Sequence, residues 1–215
     1  MIVVLLGPPG SGKGTQGERV AAALGVPKIS TGDVLRAAAK AGTTLGLEAK
    51  AYMDRGDLVP DPVILGIMKD ALSATEQAKG VVLDGVVRTV PQAEGLARVT
   101  AEIGKRVDVV MLFDIADDLL VERLSSRTTC GACATPFAGR QPGETHAECP
   151  ATPKGTLVRR ADDEPESIRN RLRVYKAQTE PVVAWYRANG GNIAAIDASG
   201  TFADVEARAL RAVGH

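Results

Sequence analysis

The sequence predicts a three-layer α/β/α fold, a five-stranded parallel sheet with helices on both faces. Two observations point there. Short apolar runs of strand length recur at residues 2–6, 27–29, 81–83, 107–113 and 193–196. Continuous apolar runs of this kind are what strands buried on both faces look like. Between them lie stretches of helical periodicity at 15–24, 62–72, 91–102, 116–126 and 165–188. Strands that alternate with helices imply βαβ units and a parallel sheet.

The first run, IVVLL, leads into a glycine-rich turn and then a helix. It has no basic leader and no cleavage site, so it reads as a buried strand rather than a signal peptide. Asp61-Pro62 opens a later helix, an acidic cap followed by Pro at the first helical position. Two segments break the rhythm. Residues 30–59 are helical in pattern with no buried strand; residues 127–163 are rich in Gly, Pro, Thr and Cys and have little periodicity. A loop that long is uncommon in a compact domain unless it is a lid or binding element. The expected organisation is a core of 1–29, 60–126 and 164–215, interrupted by a small helical insertion at 30–59 and a lid at 127–163.

Composition narrows the function. The chain has 215 residues, of which 45% are hydrophobic and 24% charged, an ordinary globular balance. No apolar run approaches the roughly 20 residues of a membrane span. Lys plus Arg and Asp plus Glu both number 26, and aromatics make up only 3%. Zero net charge and few stacking residues argue against nucleic-acid or anionic-membrane partners. Three cysteines within twenty residues are not a secreted disulfide framework, and a reducing cytoplasm is the expected home.

The motif that carries most chemistry is GPPGSGKGTQ at 7–16. It follows a strand and precedes a helix, the context a phosphate-binding loop requires. Its glycines, Gly7, Gly10, Gly12 and Gly14, let backbone N–H groups turn inward on phosphate oxygens, and the helix adds its dipole. Lys13 supplies a mobile cation. The Ser or Thr that usually follows the Lys is here Gly14, with Thr15 one place later. The core is therefore expected to be P-loop NTPase-like. In ISTGDVLR at 29–36, Ser30 or Thr31 can cap a helix and Arg36 can clamp a second phosphate. In LDGVVRTVPQ at 83–92, Asp84 stands at a strand end, where ligands of open α/β sheets gather. It can hold Mg²⁺ through water, and Arg88 can reach a phosphate. Arg123 and Arg127 share a helix face at i, i+4; Arg160 precedes the acidic pair Asp162 and Asp163; Arg171 lies on the long helix after Pro165. Each arginine alone is a solvated charge. With Lys13, Arg36 and Arg88 they could surround a row of phosphates.

Taken together these blocks resemble the adenylate kinases over essentially the whole chain. The matching blocks in order are GPPGSGKGTQ, STGDVLR, MDRGDLVPD, DGVVRT followed by PQ, VERLSSR, RADDEPESIRNRL and a final IDASG. One phosphate loop is weakly specific; seven blocks in order are highly specific. The resemblance implies reversible, Mg²⁺-dependent transfer of a phosphoryl group from ATP to AMP, giving two ADP and balancing the adenine nucleotides. It also implies a nucleoside-monophosphate segment and a lid that close over the substrates, and a monomer. Gly10, Ser11, Gly12, Lys13, Gly14 and Thr15 resemble the ATP phosphate loop. Arg123 resembles the arginine against the ATP adenine, and Gly200 the backbone contact to that base. Thr31, Arg36, Asp57, Leu58, Val59, Gly85, Val86, Val87, Arg88 and Gln92 resemble the AMP site. Arg127, Arg160 and Arg171 resemble the lid and hinge arginines on the phosphates, the last two also reaching AMP. Asp33 and Asp84 resemble the carboxylates that order water around Mg²⁺. The implied catalytic set is Lys13, Arg88, Arg123, Arg160 and Arg171. The absence of a His or Cys nucleophile suits a transfer that works by charge neutralisation and positioning.

Two departures stand out. The family usually carries Phe-Pro after Asp84-Gly85, where this chain has Val86-Val87. Losing the fixed φ of Pro loosens the turn, so weaker AMP binding or a shifted acceptor preference is expected. In the lid, Cys130-x₂-Cys133 and Cys149-x₂-Thr152 stand where many relatives carry four zinc ligands. Either the three thiols bind Zn²⁺ with His146 or Thr152 as fourth ligand, or the position is a metal-free polar network in which Thr fits. Three rival readings are a kinase for UMP or CMP, a regulatory nucleotide-binding module without catalysis, and a zinc-ribbon nucleic-acid binder. Thr31, Gln92 and the long lid favour AMP. The retained cations oppose the second rival, and zero net charge opposes the third.

Overall fold

A computed structural model describes residues 1–74 and 79–215. Five strands form the parallel sheet: β1 (Ile2–Leu6), β2 (Lys28–Ser30), β3 (Val81–Asp84), β4 (Val109–Asp114) and, last in sequence, β8 (Ile193–Asp197). Their order is β2-β3-β1-β4-β8, with every pairing parallel. All five residues of β1 are buried, as a central strand requires. Ile2, Val4 and Leu6 join one hydrophobic cluster and Val3 and Leu5 another, so the strand's alternate side chains build two cores.

The helices fill those two cores. Helices α4 (Asp61–Ala74), α5 (Val90–Glu102) and α8 (Glu180–Ala188) bring Ile64, Met68, Ala93, Leu96 and Val182 to one face. Helices α1 (Lys13–Leu24) and α9 (Phe202–Arg211) bring Val20, Val205 and Ala209 to the other. The three layers are those the sequence predicts. The fourth strand begins at Val109 rather than 107, because Val107 and Asp108 only lead into the ladder.

Residues 30–59 carry α2 (Thr31–Lys40) and α3 (Thr44–Arg55), capped by the hydroxyls of Ser30 and Thr43. Helix α6 (Asp117–Ser125) leads to the second departure from the βα rhythm. There a small antiparallel sheet forms from β5 (Arg127–Cys130), β6 (Pro136–Ala138) and β7 (Leu157–Val158), in the order β6-β5-β7. Strands of four, three and two residues are too short to leave a periodic signal, so the sequence shows only an irregular stretch.

The predicted helix at 165–188 is a continuous coil but not one regular α-helix. It comprises α7 (Pro165–Val174), a π-helical turn (Tyr175–Thr179) and α8. Pro181 has no N–H to donate and its ring crowds the carbonyl four residues back. The wider π turn just before it removes that conflict.

Candidate active site

A cleft of about 570 Å³ opens beyond the carboxyl ends of β1, β2 and β3. The loop after β1 forms its floor. Gly7 sits at φ +142°, where a Cβ would lie 2.5 Å from the Phe113 carbonyl oxygen. Gly10, at φ +88°, is equally closed, by Leu124 Cγ at 2.9 Å. The loop therefore curls only because those positions carry no side chain. Lys13 Nζ donates to the carbonyls of Gly7 (2.6 Å) and Pro8 (2.7 Å), closing the ring. Burial pulls its amine down to about 7, against the pull of Asp84. A Cβ on Gly14 would lie 3.3 Å from Asp84 Oδ2, so the carboxylate at the end of β3 overhangs the first turn of α1.

The opposite wall is a hydrogen-bonded turn after β3. Thr31 Oγ1 donates to the Gly85 carbonyl (2.8 Å), which also accepts from Arg88 Nε (3.1 Å). The Arg88 N–H donates to Gln92 Oε1 (2.8 Å), and Thr179 Oγ1 donates to the Arg88 carbonyl (2.9 Å). Gln92 Nε2 donates to Asp61 Oδ1 (2.6 Å). Both ends of the Gln92 amide are thus engaged behind the wall.

Arginines close the cleft from three sides. Arg123 donates to the Ala198 carbonyl (3.1 Å), beside Gly200. Arg127 grips Asp163 with two bonds, and Arg171 reaches the same carboxylate (3.1 Å) and Asp162 (3.1 Å). Asp33 pairs with Arg36, which holds its carboxyl below the usual range although burial works the other way. Burial, then Arg36 and Arg127, bring Arg160 down to about 10. The Nε of Arg36 is buried without a hydrogen-bond partner. Lys13, Arg36, Arg88, Arg123, Arg127, Arg160 and Arg171 all line this one cleft. Cations crowded so closely destabilise one another, and a polyanion relieves them.

The predicted site residues separate cleanly. Gly10 to Thr15 of the loop, Thr31, Asp33, Arg36, Asp57, Leu58, Val59, Asp84, Gly85, Val87, Arg88, Gly200 and the arginines line the cleft. Val86 and Gln92 do not; both are buried behind it, Gln92 as a strut for the Arg88 turn.

A second cluster lies in the small sheet. A tight turn with Ala134 at φ +61° puts Cys130 and Cys133 on one side. The ligand atoms of Cys130, Cys133, His146 and Cys149 all lie within 4.8 Å of one another. Cys130 Sγ and Cys149 Sγ are 3.7 Å apart, and Cys133 Sγ is 3.3 Å from His146 Nδ1. Two thiolates at about 2.3 Å from a tetrahedral ion stand roughly 3.8 Å apart, so the Cys130–Cys149 pair has the spacing of two ligands of one zinc ion. Thr152 is exposed, and His146 completes the set.

The family model for adenylate kinase matches residues 5–191 of this chain. The chain belongs to the adenylate kinase family. It is 63% identical over 213 residues to the adenylate kinase of Gemmatimonas aurantiaca, covering 99% of each chain. It is 46% identical over 190 residues to that of Methanosarcina barkeri, covering 88% of each. It is 44% identical over 214 residues to that of Citrifermentans bemidjiense, covering 99% of each. Beyond the predicted residues, the geometry adds Thr179, which lines the cleft, and Asp61 and Asp163, which touch the site only through others. Of these, Asp163 had a signal, as half of an acidic pair beside Arg160. The other two depend on partners 31 and 91 residues distant.

Proposed function

We propose that this member of the adenylate kinase family catalyses reversible transfer of a phosphoryl group between ATP and AMP. The observation that carries the reading is the convergence of Lys13 and six arginines on a single cleft floored by a phosphate loop. A loose phosphoryl-transfer transition state needs positioning and charge neutralisation rather than a strong base, and this cleft supplies both. The loop at 10–15, with Arg123 and Gly200, receives ATP. Thr31, Arg36, the 57–59 strip and the 85–88 turn receive AMP. Arg127, Arg160 and Arg171 hold the phosphates between them. Asp84, overhanging Gly14 in the first turn of α1, would hold Mg²⁺ through water, with Asp33 as a second carboxylate at the rim. Mg²⁺ bound there would neutralise phosphate charge.

Residues 30–59 act as the acceptor segment and residues 127–163 as the lid. Lys40 of α2 already reaches the Gly131 carbonyl across the cleft (3.4 Å), so the two segments meet over it. Closure excludes the water that would compete as acceptor. The enzyme works as a monomer in a reducing compartment, where its three cysteines stay out of disulfides.

The acceptor is tested by steady-state transfer from Mg·ATP to AMP, UMP, CMP and GMP in parallel. AMP is expected to be preferred by at least roughly tenfold, the discrimination that one or two polar contacts give. Preference for a pyrimidine overturns the AMP assignment.

We also infer that the lid holds one zinc through Cys130, Cys133, His146 and Cys149. Beyond these donors its cluster contains Leu157, with Phe137 and Ala151 only partly buried against it, too little apolar burial to fix a sheet of such short strands. Protein made without added zinc is expected to carry close to one atom per chain. His146→Ala is expected to lose it and Thr152→Ala to keep it; the reverse pattern would make Thr152 the ligand.

A further inference from the structure

Helix α3 ends at the edge of the cleft, and its last carbonyls need partners. Two find them locally. The Gly56 N–H donates to the Met53 carbonyl (3.0 Å) and the Asp57 N–H to that of Tyr52 (2.9 Å), with Gly56 left-handed at φ +78°. The other two are satisfied from a different element. Ser167 Oγ donates to the Asp54 carbonyl (2.7 Å), and Asn170 Nδ2 to that of Arg55 (2.7 Å). Asn170 Nδ2 also donates to Asp57 Oδ1 (2.8 Å), while its Oδ1 accepts from Arg173 (2.6 Å), which fixes the amide's orientation. The seam is close: a Cβ on Gly56 would lie 2.7 Å from Arg171 Cγ and 2.8 Å from the Ser167 carbonyl oxygen.

Ser167, Asn170 and Arg171 stand at i, i+3 and i+4 on α7, so they share one face. That face places Arg171 in the cleft and, one turn away, holds the end of α3. The chain then runs directly into Asp57, Leu58 and Val59, which line the acceptor half.

We propose that Ser167 and Asn170 are positioning residues for the phosphoryl acceptor: by capping the end of α3 they hold the 57–59 strip in register with Arg171. The inference rests on the ATP–AMP reading above. Without these bonds two carbonyls lose their partners, and the seated arrangement becomes one of several. Apparent affinity for the acceptor falls by the fraction still seated, while the ATP loop and the chemical step are untouched.

The test is steady-state kinetics of Ser167→Ala, Asn170→Ala, the double variant and Ser167→Thr, with ATP and AMP varied separately. Losing one or two hydrogen bonds of ordinary strength is expected to raise the KM for AMP about tenfold in Asn170→Ala and further in the double variant. The KM for ATP and kcat are expected to stay within about twofold, and Ser167→Thr, which keeps the hydroxyl, to match the parent. An unchanged AMP KM in the double variant overturns the proposal. So does a parallel change in both KM values and kcat, which would mark a general structural role. A parent enzyme that does not phosphorylate AMP overturns the underlying reading; an active parent with indifferent variants overturns this proposal alone.

Discussion

Lys13 holds closed the loop that receives phosphate, and its amine does so with a pKa brought down by burial to about 7. Between about 7 and its ordinary value of 10.5, the nucleotide-free fold binds fewer protons at this site than the unfolded chain. This site's contribution to stability therefore improves as pH rises through that window. A polyphosphate in the loop favours the ammonium and restores its pKa. Binding of ADP at pH 8 is therefore expected to take up close to one proton, on the order of 0.9. Calorimetric titration in two buffers of different ionisation heat reads this directly, and Lys13→Met should abolish it. Heat that does not depend on the buffer would show that Lys13 is already charged. This residue was legible from the sequence because the motif is contiguous. Gln92 was legible only as a family position, and its hydrogen bonds make it a strut here, because it ties the turn at Arg88 to Asp61 on α4, 31 residues away.

Elements differ in how much of themselves they reveal. The strand runs and the helical periods were readable because each is longer than its own repeat. The lid strands were not, being shorter than a pattern needs. The π turn leaves no pattern either, although Pro181 marks where a regular coil must yield. The turn after β3, expected to be loose without Pro, is held instead by Thr31, Gln92 and Arg88 itself, with both valines buried. The neck of the lid is held by one element-to-element clasp: Asp163, wholly buried, binds Arg127 at the entrance and Arg171 on α7. Removing one member of a buried pair costs about 3–5 kcal/mol. Asp163→Asn is therefore expected to lower Tm by roughly 6–20 °C in a chain of this size. Thermal unfolding followed by circular dichroism measures it, and an unchanged Tm would mean the clasp is solvated in solution.

At the scale of the whole molecule, the order β2-β3-β1-β4-β8 places the last strand of the chain against the one that precedes the lid. Alternation of strand and helix made the sheet legible, but the strand order rests on contacts between residues some eighty positions apart, which no local pattern records. The same order means that the peptide link through the lid is not what keeps the two ends of the protein together. Everything before the lid supplies four strands, and everything after it supplies β8, which lies along β4 over five register pairs, Val110 with Ile193 to Asp114 with Asp197. Val205 and Ala209 of α9 share a core with Val20 of α1, and Val182 of α8 shares one with Leu96 of α5. A cut in the lid yields two polypeptides and still one sheet. The gene could be split there, and the halves, made separately, carry matching surfaces by which to reassemble.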